Sequence, residues 1–120
     1  MSFYKKLLCA ILCLQMYSVV HSYAISIKNE ASYTVNVLIV YGGGAHICPN
    51  IEFDIKSGQT HNVSSGICCT SYITMKAMEG PVKGHSFTFQ PPATGFGITC
   101  KEYSFVIKQA ADGSLIGGTV

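Results

Sequence analysis

Past residue 22 the chain alternates apolar and polar residues with a period of two, and Gly, Pro, Asn and Ser cut the runs short. That period puts successive side chains on opposite faces of an extended strand, and it leaves no stripe for a helix to bury. "AISIKN" sets Ile25 and Ile27 against Ser26 and Lys28. In "SYTVNVLIVY", Tyr33, Val35, Val37, Ile39 and Tyr41 share one parity. Leu38 and Val40 make its far end apolar on both faces, the pattern of a central strand. "IEFDIK" puts Ile51, Phe53 and Ile55 in and Glu52, Asp54 and Lys56 out. "THNVS", "ICCTSYITMKA", "HSFTFQ", "ITCKEYSFVIKQ" and a short "LIGGTV" follow, divided by "GGGAHICPN", "SGQ", "MEGPVKG", "PPATGFG" and "ADGS". "QAADG" has room for one helical turn at most. Seven or eight short strands at roughly 8–12-residue spacing predict an all-β, antiparallel β-sandwich, with a small closed β-barrel as the alternative.

Residues 1–22, "MSFYKKLLCAILCLQMYSVVHS", have the anatomy of a secretory signal peptide. Lys5 and Lys6 precede an apolar run from Leu7 to Val20, and small residues stand before Tyr23. The run is shorter than the ~20 residues that span a bilayer. Cleavage leaves residues 23–120 as a single secreted domain, extracellular or periplasmic, large enough for a core and small enough to gain from staples.

Lys5 and Lys6 account for the formal charge of +2. Beyond them stand Lys28, Lys56, Lys76, Lys83, Lys101 and Lys108 against Glu30, Glu52, Asp54, Glu79, Glu102 and Asp112, with no Arg. That balance carries no footprint for nucleic acid. The surface must be built mainly from Ser, Thr, Asn, Gln, Gly and backbone, which suits an exported protein that is glycosylated, oligomeric or membrane-facing.

Four cysteines remain after cleavage: Cys48, Cys68, Cys69 and Cys100. An even number in an exported chain predicts disulfides. If "ICCTSYITMKA" is one regular strand, Cys69 shares the apolar parity of Ile67, Ser71, Ile73, Met75 and Ala77, and Cys68 faces out. A bond between the neighbours needs a local geometry that an extended strand does not offer. Cys48–Cys68 with Cys69–Cys100 is the favoured connectivity, and Cys48–Cys69 with Cys68–Cys100 the alternative. A zinc site using His46 and Cys48 lacks the close ligand pairs of structural zinc. No metal or other cofactor is expected.

No catalytic constellation can be read. His46, His61 and His85 are not spaced to share a metal on one strand. The glycines of "YGGGAH" lack the Lys and Ser/Thr that follow them in a phosphate loop. No G-x-S-x-G elbow occurs, and Glu52 and Asp54 face outward from one strand. "NVS" at Asn62–Ser64 is a glycosylation sequon. In "PPATGFG", Pro92, Gly95 and Phe96 form the candidate binding loop, with an aromatic ring either tucked inward or offered to a partner.

The run "ISIKNEASYTVNV" and the later "IKSGQTHNVSSG" resemble the opening of thaumatin-like proteins. The likeness lies within residues 25–66, and the dense cysteine framework and acidic cleft residues of that family are absent, so no site residue is carried across. The expectation is a secreted, non-enzymatic binding protein acting through its sandwich loops. Its partner would be a protein, a glycan, membrane lipid or another copy of itself. The absence of Trp weighs against a glycan, with Tyr41, Tyr72 and Tyr103 as substitutes. A membrane-active, cytolysin- or toxin-like effector is the alternative, and a small secreted hydrolase the third reading.

Overall fold

The computed structural model describes residues 23–42, 47–64, 66–91 and 100–120. The segment read as a signal peptide lies outside them. Eight strands follow in chain order: β1 (Ala24–Asn29), β2 (Val35–Tyr41), β3 (Ile51–Ile55), β4 (Thr60–Ser64), β5 (Thr70–Ala77), β6 (Ser86–Phe89), β7 (Tyr103–Gln109) and β8 (Leu115–Thr119). They form two four-stranded sheets, ordered β4-β1-β7-β8 and β3-β2-β5-β6. Neither sheet closes on itself, so the molecule is a β-sandwich and the closed-barrel alternative is set aside. Every pair is antiparallel except β1 with β7, which run parallel at the centre of the first sheet.

Alternation accounts for the core. Ile25 and Ile27 of β1 lie level with Tyr103 and Phe105 of β7. From the other sheet, Val35, Val37 and Ile39 of β2 and Ile73, Met75 and Ala77 of β5 meet them. Burying each such aliphatic side chain contributes roughly 1.5–3 kcal/mol. As its two-faced pattern requires, β2 is central, between β3 and β5. Phe87 and Phe89 pack against the core from β6, and Phe89 meets Phe105 at 5.2 Å between ring centroids. On the other open side, Phe53 of β3 stacks on His61 of β4 at 4.0 Å and closes the gap between the two sheets' edges.

Two polar side chains are buried among the described residues, Asn29 and Thr70. Asn29 is fully buried and has a partner for each polar group. Its Nδ2 donates to the carbonyls of Tyr33 and Ile55, and its Oδ1 accepts from the amide of Ala31, all at 2.9 Å. It ties the exit of β1 to the β1–β2 connection and to the end of β3.

The strand holding the cysteine doublet departs from expectation. β5 starts at Thr70 rather than Ile67, and its register with β2 slips: Val40 faces Tyr72, but Tyr41 faces Thr70. Ser71 is therefore an extra residue, a β-bulge. The bulge inverts the parity upstream of it. Thr70 is buried, Ile67 is exposed, and Cys68 rather than Cys69 packs against the core. The regular strand assumed from the sequence had assigned these faces the other way round. Cys100 likewise precedes β7 instead of lying within it.

Candidate functional site

The strand order sends the connections to opposite ends of the sandwich. β1–β2, β3–β4, β5–β6 and β7–β8 turn at one end; β2–β3, β4–β5 and β6–β7 turn at the other. The two ends differ in chemistry. The first carries Glu30, Lys56, Glu79, Lys83 and Asp112. At the second, residues 42–50, 65–69 and 90–100 contain no Asp, Glu, Lys or Arg. Lys101 and Glu102, of opposite sign, close the β6–β7 connection just before β7 begins at Tyr103.

Both disulfides lie at this charge-poor end. Cys48 bonds Cys68 with the Cα atoms 5.8 Å apart, and Cys69 bonds Cys100 with the Cα atoms 4.5 Å apart. The doublet therefore makes the β4–β5 connection a hub. Cys68 clamps it to the β2–β3 connection, and Cys69 clamps it to the β6–β7 connection. The inner bridge is well covered, since Cys48 is buried and Cys68 packs on the core.

On either side of that inner bridge stand two apolar side chains that the core does not take. Ile47 is 71% exposed and Ile67 is 67% exposed. Each immediately precedes a bonded cysteine, in "HIC" and "GIC". With the bridge at 5.8 Å, their Cα atoms are at most about 13 Å apart, one 3.8 Å virtual bond beyond it on each side. Neither isoleucine stands out in the sequence. The signal that could have found them is the repeated Ile-Cys pair, together with a bulge that turns Ile67 outward.

The other sequence-derived candidates scatter. Pro92, Gly95 and Phe96 lie outside the described residues, as does His46. Asn62 is exposed on the outer face of β4, opposite Ser26 of β1. It lines a shallow depression of about 450 Å³ with Ala24, Ser26, Glu102, Ser104 and Val120. Glu102 is the one carboxylate among the residues lining that depression. Glu52 and Asp54 are exposed on β3, where Asp54 accepts a 2.8 Å hydrogen bond from Asn36 Nδ2. His61 is engaged with Phe53, and His85 is exposed in the β5–β6 connection. Among the described residues no three His, Cys, Asp or Glu side chains converge as metal ligands would.

The tyrosines do not form a common platform. Tyr41 is buried in the core, and Tyr72 is partly exposed on the outer face of β5. Tyr103 donates a 2.9 Å hydrogen bond to Thr70 Oγ1 at the stapled end. Burial pushes the Tyr103 phenol above its ordinary value, and the bond to Thr70 offsets part of that.

The bridges belong to an oxidising compartment outside the cytoplasm. Among the described residues no helix is long and apolar enough to cross a membrane. No family model matches the chain, and no curated protein matches it. Among solved structures it is similar to the NMR structure of a protein from Eubacterium rectale, at 14% identity and a TM-score of 0.56. The match covers 82% of this chain and 87% of that one. At that identity the likeness concerns the fold alone.

Proposed function

We propose that the protein is a secreted, non-enzymatic binding domain that engages its partner through the stapled, charge-poor end of the sandwich. The observation that supports this is the joint placement of two bridges and two exposed isoleucines on one rim. Loops that serve only as connections do not need cross-links to one another. Loops that present a surface gain from them, because fixing their shape in advance reduces the ordering cost of association. A chain this sparing with charge also has few other surfaces on which a partner could be gripped.

The test is an array of glycans, lipids and extracellular proteins probed with oxidised residues 23–120. Binding should be found, and it should fall on reduction of the disulfides and in Ile47→Asp. Binding that survives both changes would place the contact elsewhere on the molecule.

A further inference from the structure

We infer that Asn62 carries an N-linked oligosaccharide whose first sugar lies in a trough across the outer face of the β4-β1-β7-β8 sheet. The inference rests on export, but not on the rim being the binding surface. Asn62-Val63-Ser64 is the one N-x-S/T triplet in the chain. The fold gives it the orientation an acceptor needs. Val63 turns into the core at 7% exposure. Asn62 and Ser64, one residue to either side of it, therefore point out from β4, and both are exposed. β4 is an edge strand with β1 as its neighbour in the sheet. The two disulfides belong to an oxidising compartment outside the cytoplasm, the setting in which such a triplet is read as an acceptor.

The trough comes from the pairing of strands. Asn62 lies opposite Ser26 of β1, and Ser26 lies level with Ser104 of β7. The Val120 amide donates to the Ser104 carbonyl at 2.9 Å, which brings Val120 into the same row. Neighbouring strands are about 4.8 Å apart, so the two serines continue the row for roughly 10 Å from Asn62. Their short side chains leave the depression of about 450 Å³, with Ala24 and Glu102 also lining it. That lining suits a pyranose. Ser26, Ser104 and Glu102 offer hydrogen bonds to sugar hydroxyls, and Ala24 and Val120 offer apolar contact to ring carbons and an N-acetyl methyl. Transfer joins Asn62 Nδ2 to C1 of a lipid-diphosphate-linked oligosaccharide. The C1–O bond to the diphosphate breaks, the lipid diphosphate leaves with the bonding pair, and the amide gives up one proton. The product adds polar bulk to a chain sparing with charge, and blunts the β4 edge against pairing with another sheet.

The experiment is secretion of the full chain from cultured animal cells, with intact mass and peptide maps of protein from the medium before and after peptide-N-glycosidase F. The expected result is one N-linked chain, removed by the enzyme with deamidation at residue 62. It should be lost in Asn62→Gln and in Ser64→Ala and kept in Ser64→Thr. Far-UV circular dichroism and a non-reducing map show that each variant is folded and correctly bridged. Protein with oligomannose chains, trimmed by endoglycosidase H to the first N-acetylglucosamine, tests the seat. Nuclear Overhauser contacts should run from that sugar to Ser26, Ser104 and Val120. Ser104→Leu, which fills the trough, should keep the sugar and lose the contacts. Secreted, correctly bridged protein with Asn62 unmodified would overturn the inference and leave the rim reading standing. A sugar on Asn62 without contacts to the sheet would overturn the trough as its seat. If the chain never reaches the medium, export falls, and both readings fall with it.

Discussion

Asn29 shows how much one side chain can organise. Three hydrogen bonds at 2.9 Å converge on its amide inside a mostly apolar core. Asn29→Ala strands two carbonyls and an amide, and should lower the unfolding free energy by about 2–4 kcal/mol, read from urea denaturation. A loss within experimental error would show that water replaces the amide. Gly117 is constrained by space rather than by polarity. A Cβ there would stand 2.2 Å from the Phe105 ring tip. Gly117→Ala should therefore cost roughly 1–3 kcal/mol, and Phe105→Leu should recover part of it in a double-mutant cycle. Tyr103 makes stability depend on pH. Burial raises its folded value above the 10.0 of an ordinary phenol, so the native state holds the proton more tightly than the unfolded chain does. That contribution is complete below about pH 10 and is lost as pH rises through the folded value. The urea midpoint should fall as pH rises above about 10, and fall less in Tyr103→Phe. None of these roles could be read in advance. Asn29 and Asn36 are both polar residues in apolar runs, yet Asn36 lies on the outer face, paired with Asp54.

At the scale of the strand, legibility depended on regularity. The faces of β1, β2 and β7 follow from period two, and Ile25, Ile27, Val35, Val37, Ile39, Phe105 and Ile107 are all buried accordingly. β5 obeys the same rule from Tyr72 to Ala77 and breaks it at Ser71, where one extra residue inverts everything upstream. "TSYIT" has no Gly or Pro to announce a bulge. The slip follows from how β5 meets β2, not from its own preferences. The existing register already skips Ser71, so deleting it should preserve Tyr41 opposite Thr70 and leave the bridges Cys48–Cys68 and Cys69–Cys100 intact. Deleting Thr74, in the regular part, should reverse the faces of the residues before it, because a one-residue slip moves a whole strand's side chains across the sheet. Non-reducing peptide maps and thermal melts of the two deletions check this. Shuffled bridges in the Ser71 deletion would contradict it.

For the molecule as a whole, the bridges act on the unfolded chain as well as on the rim. They close loops with sequence separations of 20 and 31. Chain entropy assigns about 3–4 kcal/mol to each, slightly more to the longer one. Paired Cys→Ser replacements at each bridge should show that order in denaturant melts, and thiol labelling of the parent should find neither Cys68 nor Cys69 reactive. Loss of the inner bridge should also free the segments carrying Ile47 and Ile67, and so weaken rim binding more than it unfolds the core. The sequence by itself determined the all-β class and most inward faces, because alternation is a property of neighbouring residues and needs nothing distant to express it. Tertiary structure alone decided that the strands form two open sheets rather than a barrel, that β1 lies parallel to β7, that Cys68 rather than Cys69 turns inward, and that three charge-poor connections share one end around two exposed isoleucines. Those features depend on which strands meet across the chain, and pairing between distant segments leaves no local periodicity to read.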